Sequence, residues 1–162
     1  MANHGYVTTR NIIKPEAMTD LLNKLNQERF HGILKIEYFF AARHQNSHHS
    51  WEIKCELQVP NCEGATYEER RVCWLNTPHK FEMRHGGGGD FIWWIDCVIT
   101  NELALVFNGT ISDDGGGEKW KGKEGYCPTY RDYVESMWRH NKSPNKNDFI
   151  NEIINEAPEE FR

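Results

Sequence analysis

Met18, Leu21, Leu22 and Leu25 recur at i, i+3, i+4 and i+7. That spacing lays all four on one stripe of an amphipathic helix. Pro15, with Glu16 beside it, marks the start, and the helix is expected to stop before Gly32, a natural terminator. The period then changes to two. Leu34, Ile36, Tyr38 and Phe40 alternate with Lys35 and Glu37, which predicts a strand over Ile33 to Phe40 with one buried face. A polar loop, Arg43 to Ser50, leads into a second alternation, in which Trp51, Ile53, Cys55, Leu57 and Val59 interleave with Glu52, Lys54, Glu56 and Gln58. This reads as a strand wet on one face and packed on the other, ended by Pro60.

Thr66 and Glu69 have the spacing of a capping box and predict a short helix from Tyr67 to about Leu75, broken at Asn76-Thr77-Pro78. Lys80 to Arg84 reads as a strand with Phe81 and Met83 inward, followed by the flexible run Gly86 to Gly89. From Phe91 to Thr100 both alternating sets are apolar. Phe91, Trp93, Ile95, Cys97 and Ile99 form one, and Ile92, Trp94 and Val98 the other. Such a run predicts a central strand covered on both sides. A two-residue turn at Asn101-Glu102 would carry it into another strand, Leu103 to Ile111, with Trp94 opposite Gly109 and Asp96 opposite Phe107. Ser112 to Gly125 is a long polar loop. Tyr130, Tyr133, Val134, Met137 and Trp138 then repeat at helical spacing. A last helical stripe holds Phe149, Ile150, Ile153, Ile154 and Ala157, begun at Ser143-Pro144 and stopped by Pro158.

Strands thus follow one another rather than alternating with helices. The expected class is α+β: one antiparallel sheet of about five strands, packed by an N-terminal helix and two C-terminal helices, in a single domain over residues 1–162. With 162 residues, 38% of them hydrophobic, and six tryptophans, the chain has the means to build a packed core.

Charge narrows the partners. The formal net charge is −5 and no basic run of five occurs, so a phosphodiester backbone is not the expected partner. No stretch has the roughly 18 consecutive apolar residues of a membrane span, and the opening Met-Ala-Asn-His-Gly-Tyr has no apolar signal region. Five cysteines, none in a CxxC pair, fit reduced thiols in a cytoplasmic setting.

Several groups could carry chemistry, and each has a plainer explanation. His85 with four following glycines is similar to an esterase oxyanion loop, but the partner motif GxSxG is missing, and a hairpin loop accounts for the run. His44, His48 and His49 share one loop but give too few ligands for zinc, unless Cys62, Cys73, His79 or His85 converges on them. Asp113, Asp114 and Glu118 in a glycine-rich loop are candidate metal ligands, without the EF-hand spacing. Lys119, Lys121 and Lys123 with Trp120 between them suggest a contact surface or a merely solvated loop. Asp96, inside an apolar run, needs donors or a raised pKa, and is a candidate catalytic acid or base or a structural acid. Cys127, just before a helix, is the candidate reactive thiol, whereas Cys55 and Cys97 read as core. No nucleotide-binding glycine motif is present and no cofactor is expected.

No catalytic constellation reaches motif strength. The reading preferred on sequence is therefore a small non-catalytic module that binds another protein, of immunity, inhibitor, adaptor or virus-encoded type, with Trp120, Tyr126 and Trp138 as candidate anchors. The alternative is a small metal-dependent hydrolase that gathers Asp90, Asp96, Asp113, Asp114 and Glu118 around the last hairpin.

Overall fold

The computed structural model describes residues 3–42, 49–62, 65–77, 79–85, 89–113, 117–142 and 144–162. Along the chain run β1 (Asn3–Thr8), α1 (Pro15–Glu28), β2 (Leu34–Ala42), β3 (His49–Cys62), β4 (Ala65–Thr77), β5 (Lys80–His85), α2 (Gly89–Val106), β6 (Thr110–Asp113), β7 (Trp120–Lys121), α3 (Tyr130–Asn141) and α4 (Lys146–Ile154), with a 3₁₀ turn at Glu159–Phe161. Among the described residues the strands form one antiparallel sheet in the order β2-β3-β4-β5-β1-β6-β7. The class is α+β, as the consecutive strands predict.

β2 to β5 form a meander. β1 then lies between β5 and β6, antiparallel to both. β5 and β6 therefore run in the same direction and are joined by α2, giving a split β-α-β unit. α2 packs on β1, β5 and β6 and against α1 and α3. Val7 pairs with Phe81 on one side and Ile111 on the other, and all three are buried beneath this helix layer. Alternation turns their neighbours Tyr6, Thr8, Thr110 and Ser112 to the opposite face.

The expected stripe of α1 is the buried one: Met18, Leu21, Leu22 and Leu25. Its end is tied to the sheet by Asn26, whose amide donates to the Leu34 carbonyl at 2.8 Å and accepts from the Leu34 N–H at 2.9 Å. α3 begins with a capping box, in which Asp132 N–H donates to the Thr129 hydroxyl and Thr129 N–H donates to the Asp132 carboxylate.

Five expectations are overturned. The run Phe91 to Thr100 is not a strand but the body of the 18-residue helix α2. A helix buried nearly all round shows apolar residues at every phase and so loses its 3.6-residue signature. Asn101-Glu102 is not a turn; it lies inside α2, so the pairings of Trp94 with Gly109 and Asp96 with Phe107 do not exist. Of the segment Leu103 to Ile111, only Thr110 onward is a strand. Finally, Tyr67 to Leu75 is not helical but lies in β4, where pairing with β3 throughout and with β5 from Val72 onward overrides the local capping signal. Pro60 does not end its strand either: β3 continues to Cys62, with a shift of register after Val59.

An aromatic cluster fills the space between α1, α2, α3 and the 3₁₀ turn. Ring centroids of Phe30, Phe91, Trp94, Tyr130 and Phe161 lie 5.0–5.9 Å apart, mostly edge to face. Trp94 also donates its indole N–H to the Cys127 carbonyl at 3.0 Å, which Arg29 reaches at 3.2 Å. Among the described residues no helix is long and apolar enough to cross a membrane.

Candidate functional site

At the corner where β1 ends, β6 begins and β7 lies alongside, the outer face of the sheet carries a groove of about 400 Å³. Its floor follows from the strand register. Thr8 pairs with Thr110, and Thr110 with Lys121, so two hydroxyls and an ammonium stand in one row across three strands. Ser112 continues the floor along β6, while Arg10, Lys119 and Asn108 form the walls. Three cations thus line the groove, and no acidic side chain lines it among the described residues.

Each wall is held by a local device. α2 ends in a Schellman motif: Gly109 N–H donates to the Ala104 carbonyl at 2.8 Å and Asn108 N–H to the Leu105 carbonyl at 3.4 Å. Asn108 occupies the left-handed position this motif requires, at φ 49°. A Cβ on Gly109 would sit 2.6 Å from Val7 Cγ1, so only glycine lets β6 begin this close to β1. The Thr9 hydroxyl is buried and donates to the Asn11 carbonyl at 2.6 Å, fixing the turn that carries Arg10.

Lys119 and Lys121 depend on the helix layer. β7 is two residues long, too short to be placed by ladder bonds alone. The buried Asn101 of α2 holds the segment that follows, donating to the Lys123 carbonyl at 3.0 Å and accepting from the Lys123 N–H at 2.8 Å. At Gly122 a Cβ would lie 2.8 Å from the Asn101 carbonyl oxygen and 2.9 Å from Leu105 Cγ. The chain passes that close because it has no side chain there.

The residues singled out from sequence fall in different places. Trp120 pairs with Ile111, sits on the helix side of β7 and is 46% exposed. Tyr126 and Trp138 are half-buried. Burial raises the Tyr126 phenol well above its ordinary range. Lys146 Nζ lies 4.8 Å from the Trp138 ring centroid. Asp96 is 1% exposed, but within α2 rather than a strand. Asp113 and Glu118 are exposed, and Asp114 lies outside the described residues, as do His44, His48 and Gly86 to Gly88. The side chains of His49, Cys55, Cys62, Cys73 and His85 are likewise not among those described. Among the described residues no three His, Cys, Asp or Glu side chains gather as a metal site.

Cys127 is partly buried at φ 35°, and the cap of α3 falls at Thr129, so the thiol does not occupy the helix terminus that would stabilise a thiolate. Burial pushes its pKa up, and burial with the neighbouring Asp96 charge pushes Cys97 up to about 12. Both are expected to react slowly with iodoacetamide at pH 8 in the folded protein, Cys97 by roughly a thousandfold relative to the unfolded chain. Peptide mapping by mass spectrometry reads this directly. Labelling of Cys127 as fast in buffer as in urea would restore it as a reactive thiol.

Comparison with known proteins returns no matching family model, no similar curated protein and no similar solved structure.

Proposed function

We propose that the chain is a small non-catalytic binding protein that engages another protein at the corner formed by β1, the end of α2 and β7. One observation carries this reading. The exposed large apolar side chains among the described residues are Ile12, Val106 and Trp120, and each lies within two residues of a residue lining the groove. Exposed apolar side chains are ordinary when scattered; these three adjoin, in sequence, the residues of a single polar groove, and apolar side chains bordered by polar groups have the composition of an interface. Tryptophan is the residue type most often found to carry binding energy at such a centre. Cytoplasmic location and reduced cysteines belong to the same proposal, on the sequence grounds given above.

The test is affinity capture from the native host with tagged protein, comparing wild type with Trp120→Asp. The expected result is one stoichiometric partner whose affinity falls by roughly 30-fold or more in the variant, while circular dichroism stays unchanged. A partner retained equally by Ile12→Asp, Val106→Asp and Trp120→Asp would place the interface elsewhere. Absence of any stoichiometric partner would count against the reading as a whole.

A further inference from the structure

We infer that the groove on the outer face of β1, β6 and β7 is a binding site for a phosphate monoester. This goes beyond the protein-binding proposal and rests on different side chains, since alternation turns Lys121 to the face opposite Trp120.

Charge comes first. The chain carries a net −5, yet Arg10, Lys119 and Lys121 converge on one concavity. Arg29 lies 3.8 Å from Glu102 and Arg139 lies 4.0 Å from Glu135. None of the three groove cations makes an ion pair among the described residues. Three like charges held around one space repel each other, and an anion between them relieves that repulsion.

The donor set then selects the kind of anion. The hydroxyls of Thr8, Thr110 and Ser112 make no hydrogen bond among the described residues, whereas Thr9, in the same wall, spends its hydroxyl on Asn11. Free hydroxyls, a carboxamide, two ammonium groups and a guanidinium offer donors from several directions. A carboxylate, planar and singly charged, uses few of them. A phosphate monoester carries close to two negative charges at neutral pH and spreads its acceptors over three oxygens, and a guanidinium matches two of those oxygens at once. A space of about 400 Å³ also exceeds what a bare oxyanion fills and falls in the range of small-ligand sites. The hydroxyl-lined floor suits the polar body to which the phosphoryl group is attached.

The probes are inorganic phosphate, ribose 5-phosphate and a phosphoserine peptide, each against sodium chloride of equal ionic strength. In wild type, about 20 mM phosphate is expected to raise Tm by about 3 °C or more, and titration calorimetry should show tighter binding of one ester than of inorganic phosphate. Whichever ester binds more tightly identifies the carrier as a free small molecule or a phosphorylated side chain. Arg10→Gln and Lys121→Gln, both at exposed positions, should each weaken binding at least about fivefold. Lys123→Gln removes the same charge from the same segment without touching the groove and should leave affinity unchanged. Trp120→Ala, which removes the indole without adding charge, should also leave it unchanged, which separates this site from the protein interface proposed above. The inference is overturned if phosphate gives no shift beyond chloride or if the double variant Arg10→Gln/Lys121→Gln keeps the wild-type response. It is equally overturned if Lys123→Gln loses as much as Lys121→Gln, or if unphosphorylated ribose or serine peptide binds as well as its phosphorylated form.

Discussion

Trp94→Ala is expected to cost about 3–5 kcal/mol, a large share of the stability of a domain this size. Trp94 is 1% exposed and shares ring contacts with Phe30, Phe91, Tyr130 and Phe161, rings supplied by the turn after α1, by α2, α3 and the 3₁₀ turn. Removing the indole opens a cavity where four elements meet, and rings locked edge to face collapse poorly into it. The Cys127 carbonyl also loses a donor, leaving Arg29 at 3.2 Å to satisfy it. Trp94→Phe separates the two effects, since it keeps a ring and loses the N–H; its cost should be about half or less. Urea unfolding followed by far-ultraviolet circular dichroism gives both numbers. A Trp94→Ala variant within about 1 kcal/mol of wild type would mean the cluster is not the joint between these elements.

The second large effect is alkaline. Burial, reinforced by Asp96, raises the Cys97 thiol from an ordinary 9.0 to about 12. A raised acid keeps its proton in the folded state after the unfolded chain has released it. The stability it contributes is therefore complete below pH 9 and is lost as pH rises from 9 to 12, at up to about 1.4 kcal/mol per pH unit. Burial also raises Tyr126, Tyr130 and Tyr133 above their ordinary value of 10.0, extending the decline to higher pH. Unfolding free energy measured in urea at pH 8, 9, 10 and 11 should fall progressively more steeply. Cys97→Ala should flatten the curve by one proton's worth between pH 9 and 12. An unchanged slope in that variant would show that the thiol titrates normally in the folded chain.

What the sequence discloses depends on how many faces an element buries. α1, α3 and α4 bury one stripe each, and Met18 to Leu25, Tyr130 to Trp138 and Phe149 to Ile154 show it. α2 buries Phe91, Ile92, Trp94, Ile95, Val98, Ile99 and Leu103 around most of its circumference, which erases the period. Its β-branched content then argues for a strand. The better guide is length: 18 residues without an internal glycine or proline, closed by Asn108-Gly109, exceed an ordinary strand. β1 goes unread because, among its described side chains, Val7 is the only large one it contributes to the core. The groove is half legible. Lys119, Trp120 and Lys121 stand together in the sequence, but Thr8, Arg10, Asn108 and Thr110 join them only through the placing of β1 beside β6. No local pattern encodes that adjacency.

The position of β1 has a consequence for how the molecule is made. It precedes every other strand in sequence yet lies inside the sheet, between partners at Lys80–His85 and Thr110–Asp113 that are synthesised far later. A nascent chain can zip β2 to β4 into a meander while β1 waits without a neighbour until β5 emerges. Only when α2 and β6 have emerged can the ribbon close around it. The fold is therefore completed by the segment that was available longest, and the groove, whose floor begins at Thr8, comes into being in that same closing step.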